Sequence, residues 1–504
     1  MSIGLRCGLA VLSGVLDALG YIGFGFYPLT WIAKVPVLIA VKDSSAKQSF
    51  WLGLLYGIVG HLGGYYWLGE TLADFGGLSK VVSFGILLLI ATFFALLFAV
   101  LIGMVQHVRC KLGIAPVWTL MVAYPALEFI FPNLLPYNIG ASQYRFTAIT
   151  QMVEVTGLLG LTALIGMVNG AFYELVEARW ERRRPVLLRW FVPVVGFLLV
   201  LGYGMIRIRQ VDASIKSARQ LKVALIQTNH SARDQSVSRR EVVERHREMT
   251  RELIKANPGL DFVVWPETVL ITSISELEPL GRRLEIGRPL VTGAFVRGDG
   301  GRFSNSMITI SAEGNLVGRF DKRRLIPFSE TIPLVGTFPQ LERFHPRGKV
   351  IQQGTDYLNL RVAGVSALPM ICYEDVMPGF VREMWHRAGP AEILINVSND
   401  SWFGDSHEPI IHLALASFRS IETRRSLIRA TSTGISAFVD PVGRIVSRTG
   451  QWQSETLAGQ IALVETGVIT PYLRYGDMLG WICLVLTGAG LAATLPPFNR
   501  RLAV

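Results

Sequence analysis

The stretch VSALPMICYED, Val365 to Asp375, runs from a mostly apolar segment into a cysteine and then two acids. It reads as a strand that stops at Cys372, and Pro369, which cannot donate to a ladder, predicts a short or edge strand. Two other stretches end on a charged residue in the same way. In DFVVWPE, Asp261 to Glu267, Pro266 predicts that the strand stops and that Glu267 sits on the exit loop. In NLVGRFDKRRLIPFSE, Asn315 to Glu330, Lys322 follows a strand-like run and precedes Pro327. Alone, each residue has a bland reading: a solvated acid, one member of a basic cluster, a packed small hydrophobe.

Together the three permit a complete chemistry. A free thiol has a pKa of about 8.5, so near neutrality it needs a base or a cation to act as a nucleophile. Glu267 is the candidate base, with burial beside Trp265 raising its carboxyl. Lys322 is the candidate stabiliser of both a thiolate and the oxyanion of a tetrahedral intermediate. Of the four cysteines, Cys7, Cys110 and Cys483 fall in or beside apolar segments, which leaves Cys372 with no local disulfide partner.

Around these residues the chain alternates. LKVALIQTN, DFVVWPE, PLVTGAFVR, NSMITIS, LRVAGVSA, EILINVSND and ISAFVDPVGRIV read as strands by their Val and Ile content. SVSRREVVERHREMTRELIKA, with Ser236 as its N-cap, and IHLALASFRSIETRRSLIRA read as helices. The pattern predicts an α/β domain with mixed strands.

The rest is too apolar for a soluble protein: half the residues are hydrophobic, only 17% are charged, and mean hydropathy is +0.39. Crossing the hydrocarbon takes roughly 20 apolar residues in a helix. Eight such runs occur, near Leu5–Gly23, Phe26–Val41, Phe50–Leu68, Val81–Val105, Ala115–Phe131, Val155–Tyr173, Leu187–Ile206 and Met478–Leu495. Lys42, Lys47, Arg109, Lys111, the ARWERRRP run and the tail's Arg500 and Arg501 fall on one side, which the positive-inside bias makes cytoplasmic. The expected organisation is a seven-helix transmembrane region at 1–206, an extracytoplasmic catalytic domain at 207–467, and a last helix with a cytoplasmic tail at 468–504. The first run has no small-residue cleavage site after it and reads as retained. Net charge +11 comes with no nucleic-acid-binding motif, and anionic lipid is its expected counterpart.

WPE, DKRRLIPFSE and CYE, followed by SNDSWFG (Ser398 to Gly404), resemble the nitrilase (carbon–nitrogen hydrolase) superfamily. The match is closer to its apolipoprotein N-acyltransferase branch, because FGFYPLTWIAKVPVL, YYWLGETLADFGG, ALEFIFPNLLPYNIGASQ and TPYLRYGDM are similar as well. The resemblance implies an αββα sandwich, so the expected fold is an integral membrane helical bundle of eight transmembrane helices plus a nitrilase-like α/β sandwich domain. It also implies a catalytic triad of Glu267, Lys322 and Cys372. Glu330 matches a second functional glutamate, Tyr373 and Glu374 flank the nucleophile, and Trp402 and Phe403 match a pocket-lining loop. Departures from the branch are Ser329 before the second glutamate, Ser432 in RATSTG, and a missing Lys-Trp pair in QTNHSARDQSVS.

The implied reaction is two-step acyl transfer in a bacterial cytoplasmic (inner) membrane, with the catalytic domain on the periplasmic side. A phospholipid acyl donor acylates Cys372, and the α-amine of a diacylglyceryl apolipoprotein accepts the chain, with no cofactor and no metal. A membrane-tethered amidase using water is one alternative; a non-catalytic scaffold or transporter is another. PLVGTFPQLERF, Pro333 to Phe344, reads either as a lid dipping into the interface or as core. HEPIIH, His407 to His412, mimics a zinc-protease motif, but its histidines are five apart and Pro409 interrupts a helix start there. GAGLAA, Gly488 to Ala493, mimics a dinucleotide fingerprint inside the last apolar run, where close helix packing explains it better.

Overall fold

Proline and buried charge break the apolar N-terminal part more than its hydropathy suggests. The computed structural model describes residues 1–74, 76–132, 137–231, 234, 236–298, 301–344, 350–464 and 469–496; Arg500, Arg501 and the expected boundary at 467 lie outside them. The chain forms two compact units. One comprises Met1–Arg209, Ser406–Ala414 and Arg474–Val504, the other Gln210–Asp405 and Leu415–Leu473.

Four described helices are long and apolar enough to cross a membrane: Ile3–Gly20, Lys80–Leu112, Leu158–Trp180 and Leu187–Ser217. Pro116–Ile130 and Met478–Ala493 are apolar but shorter. The run expected near Phe26–Val41 is not one α-helix: Tyr27–Trp31 forms a 3₁₀ turn and Val35–Val41 a short α-helix, with Pro28 and Pro36 each at a first turn. The Gly-rich run is the helix Ala46–Gly64. It packs against Lys80–Leu112 through Gly57, where a Cβ would lie 2.8 Å from the Ala95 Cα, so only glycine permits that approach. The helix starting at Leu187 runs to Ser217, past the expected end at Ile206.

Lys34, inside one of the apolar runs, is fully buried, with Nζ 3.2 Å from both carboxylate oxygens of Asp17. Tyr56 also donates its hydroxyl to Asp17. The pair ties the helix Ile3–Gly20 to the short Val35–Val41 segment and, through Tyr56, to Ala46–Gly64. His407 lies against the rings of Phe24 and Tyr66, and His412 sits 3.9 Å from Glu408. The helix carrying His412 is Glu408–Thr423, so Pro409 falls in its first turn rather than preventing it, because the N–H that proline lacks is unpaired there anyway.

The second unit holds two sheets. Its strands are β1 Gln220–Gln227, β2 Phe262–Val264, β3 Leu270–Ser273, β4 Leu290–Arg297, β5 Phe303–Ile310, β6 Leu316–Asp321, β7 Leu360–Val362, β8 Val365–Ile371, β9 Ile393–Ser398, β10 Ser426–Thr431, β11 Ala437–Val439, β12 Ile445–Arg448 and β13 Glu455–Ala462. The first sheet has the order β13-β1-β2-β4-β5-β6, with β3 beside β4; the second is β12-β11-β10-β9-β8-β7. From Val223 onward β1 is buried at every position, so both of its faces are covered. Ala224 and Ile226 share a core with Met249 of the helix Arg239–Ala256, and β1 touches β10 of the second sheet. That layering explains why these strands read as near-continuous apolar runs.

Several local expectations change. The helix Arg239–Ala256 is capped by Ser238, not Ser236, because Ser238 and Glu241 form a reciprocal capping box. LRVAGVSA is a hairpin whose turn residues Ala363 and Gly364 both have positive φ, as a two-residue primed turn requires. IHLALASFRSIETRRSLIRA is half helix: it breaks at Arg424, φ +54°, and continues as β10. β8 is seven residues long and lies between β7 and β9, despite Pro369. The N–H of Ile371, two residues on and therefore on the same side, goes to the Glu374 side chain, and β7 pairs only as far as Ala367. The proline thus faces a side where no ladder bond is needed.

Breaking the buried ion pair of the first unit strands a charge, so Lys34→Met or Asp17→Leu alone costs about 3–5 kcal/mol. The double variant recovers much of that loss in thermal midpoint, measured in detergent micelles; a double variant no more stable than the worse single one contradicts this account.

Candidate active site

Three strand ends bring the candidate residues together. Glu267 follows β2 on a loop and is 6% exposed. Its backbone packs onto β4 where Gly293 leaves room, since a Cβ there would lie 2.5 Å from the Glu267 Cα. Lys322 follows β6, is fully buried, and is fixed by its N–H to the Asn305 carbonyl at 2.7 Å. Its Nζ lies 2.8 Å from Glu330 Oε1 and 3.8 Å from Glu267 Oε1. Glu330 also accepts the Ile326 N–H at 2.9 Å, which closes its loop over the lysine.

Cys372 begins a single 3₁₀ turn directly after β8, is 5% exposed, and has φ +52°. A non-glycine residue in that region is strained by about 1–3 kcal/mol, and such strain clusters where a side chain must be aimed. Tyr373 is half-buried. Glu374 is fully buried; its carboxylate accepts the N–H groups of Arg323 at 2.7 Å, Arg324 at 3.0 Å and Ile371 at 2.8 Å. It therefore clamps the lysine loop to the cysteine strand. Trp402 and Phe403, half-buried, occupy the turn Asp400–Phe403 after β9, at the same end of the sheet as Cys372 because β8 and β9 are parallel.

The electrostatics follow from burial. Burial pushes the Glu267 carboxyl above the usual carboxylate range, with Lys322 pulling the other way. Burial opposes the Lys322 ammonium, but Glu330, Cys372 and Glu267 outweigh it and hold it above the ordinary lysine value. Burial, reinforced by the charge of Glu267, pushes the Cys372 thiol well up, against Lys322. The resting arrangement is a protonated thiol and a lysine cation beside a carboxyl held above its ordinary range. Such a set can carry out nucleophilic attack at a carbonyl with general acid–base assistance.

Sequence reasoning missed Asn305, which donates from Nδ2 to Glu267 Oε1 at 2.7 Å and to Glu330 Oε1 at 3.4 Å. Nothing in NSMITIS beyond its strand pattern distinguishes that asparagine. Also missed is the buried group of Arg429, Asp375, Asp400 and Asn396, although RATSTG, CYED and SNDSWFG contain three of its members. Of the departures, Ser432 accepts the Asn229 N–H through its carbonyl at 3.1 Å, a contact indifferent to its side chain. In the stretch lacking the Lys-Trp pair, Ala232, Arg233 and Gln235 lie outside the described residues.

Glu374 generates a pH prediction. Burial pushes it from an ordinary 4.5 up to about 7, opposed by its backbone donors. The folded form then binds this proton more tightly than the unfolded chain, so its contribution is complete below the ordinary value and is lost as pH rises through 7. Thermal midpoints of wild type should fall over that window, and Glu374→Gln should flatten the slope while lowering the midpoint throughout, because its amide NH₂ faces the Ile371 N–H. An unchanged slope contradicts the assignment.

The family model for carbon-nitrogen hydrolase matches residues 222–469, and that for the apolipoprotein N-acyltransferase N-terminal domain matches 13–171. An apolipoprotein N-acyltransferase of Geobacter metallireducens is 30% identical, over 98% of this chain and 95% of its own. Enzymes of the same name from Pseudomonas syringae pv. tomato and Pseudomonas aeruginosa are each 28% identical; the first covers 96% of this chain and 96% of its own, the second 98% and 97%. With both domains matched and full-length relatives at this identity, the chain belongs to the apolipoprotein N-acyltransferase family, and it is an N-acyltransferase of lipoprotein maturation.

Proposed function

We propose that Cys372 carries the acyl chain as a thioester between a phospholipid donor and the α-amine of a diacylglyceryl-cysteine lipoprotein. The observation that carries this reading is the fully buried Lys322, 2.8 Å from Glu330 and 3.8 Å from Glu267, whose charge acts on Cys372. Glu267 takes the thiol proton as sulfur attacks the ester carbonyl. Lys322 and the Tyr373 N–H stabilise the oxyanion. Collapse of the intermediate breaks the ester C–O bond, and Glu267 returns the proton to the departing lysophospholipid. The lipoprotein amine then attacks the thioester carbonyl, Glu267 accepts its proton and passes it to the sulfur as the C–S bond breaks, which restores the thiol and leaves an amide. Ester to thioester to amide ends downhill without a nucleotide.

The same proposal extends to the membrane. The eight apolar segments cross a bacterial cytoplasmic membrane with residues 207–467 on the periplasmic side, as the distribution of Lys and Arg supports. Both substrates are lipid-anchored, so tethering the enzyme to the bilayer converts a three-dimensional search into a lateral one. Leu334 and Phe338 are 67% and 47% exposed. That exposure supports a lipid-facing loop for the segment beginning at Pro333 and disfavours its alternative as core.

Purified protein in micelles, given phospholipid and a synthetic diacylglyceryl peptide with a free N-terminal cysteine amine, should add one acyl chain to the peptide. Glu267→Gln should lose about 10²–10⁴-fold of the rate, and Cys372→Ala all measurable transfer. Free fatty acid as the main product would instead favour a hydrolase using water. Transfer by Cys372→Ala at the wild-type rate would refute the mechanism.

A further inference from the structure

Arg429 lies on β10 and is fully buried. Its Nη1 donates to Asp375 Oδ2 at 2.5 Å and to Asn396 Oδ1 at 2.8 Å, and its Nη2 donates to Asp400 Oδ2 at 2.9 Å. Because a guanidinium only donates, Asn396 must turn its oxygen to Arg429 and its amide nitrogen the other way. That nitrogen donates to the Cys372 carbonyl at 3.1 Å and to the Met370 carbonyl at 3.4 Å. Asp400 is set from behind by the Ser398 hydroxyl at 2.8 Å. It fits only because position 434 is glycine, where a Cβ would come within 2.2 Å of Asp400 Oδ2.

Buried ion clusters are weak evidence for stability, since well-packed apolar side chains often do as well. What distinguishes this one is its target. Cys372 holds a left-handed backbone, φ +52°, that side-chain-bearing residues rarely adopt and that persists only when its surroundings over-determine it. Asn396 grips its carbonyl, Asp375 is anchored three residues further along the same turn, and one guanidinium holds both. The Arg429 charge also interacts with the Cys372 sulfur.

We propose that Arg429, relayed by Asn396, is the positioning residue that locks the Cys372 turn and thereby aims its sulfur for acyl transfer. The proposal rests on the reading of Cys372 as the nucleophile. Nothing in it requires Arg429 to touch substrate.

Two variants test it in the full-length protein in micelles. Arg429→Lys keeps the charge and loses the fork; Asn396→Ser keeps the guanidinium on both aspartates and removes the amide that joins it to the Cys372 and Met370 carbonyls. The readouts are kcat and KM for phospholipid, the rate of Cys372 alkylation by iodoacetamide across pH, and the thermal midpoint. The expected result for Asn396→Ser is a kcat about 10- to 100-fold lower, a KM within about twofold, slower alkylation, and a lower midpoint that still leaves the enzyme folded at the assay temperature. If Arg429→Lys does not fold, Asn396→Ser decides alone. A folded Asn396→Ser enzyme with wild-type kcat and alkylation overturns the proposal, as does a loss of activity that only tracks the unfolded fraction. Cys372→Ala separates the two levels. If it is inactive while Asn396→Ser is unaffected, only the positioning role fails; if it is active, the nucleophile assignment itself fails.

Discussion

A lysine ammonium with no exposure to water is the constraint on which the catalytic unit depends. Taking such an ion out of water costs several kcal/mol, and only paired, well-aligned partners offset it. Lys322 has two: Glu330 in direct contact and Glu267 a little further off, with Asn305 donating to both acids. The fold holds these groups at strand ends, the lysine after β6 and the acid after β2. Burial, reinforced by the charge of Glu267, holds the Cys372 thiol well above its ordinary value against the pull of Lys322. In the proposed mechanism the thiol therefore loses its proton only as sulfur attacks.

The same economy of buried charge recurs elsewhere. Glu374 uses its carboxylate to satisfy three backbone donors and to bind two loops together. Arg429 joins two aspartates and an asparagine behind the cysteine turn. In the helical unit, Asp17 and Lys34 pin segments that proline breaks. Each site pairs a costly group with partners that fix a geometry, and each would be destabilised by removal of one member alone.

Sequence showed these sites unevenly, for physical reasons. The strand ends bearing Glu267, Lys322 and Cys372 were legible because proline and charge punctuate apolar runs. β8 does not read as a central strand, because only the pairing pattern shows that the missing N–H of Pro369 faces no partner. β10 was hidden in a helical reading, since Arg425 and Arg429 resemble the polar face of a helix until burial places both inside. Lys34 sat unnoticed in an apolar run because hydropathy averages over the residue that matters. Asn305 carries no local signature; its role exists only where β5 passes between two acids. The positive φ of Cys372 likewise has no sequence mark, as left-handed cysteine is not a residue-type preference.

The most direct test is intact-protein and peptide mass spectrometry of the enzyme after incubation with phospholipid and no acceptor. The account predicts one added acyl chain, located on Cys372, removed by neutral hydroxylamine, and transferred to a diacylglyceryl peptide when that is then supplied. An enzyme that acylates the peptide yet never carries the chain on Cys372 would contradict it.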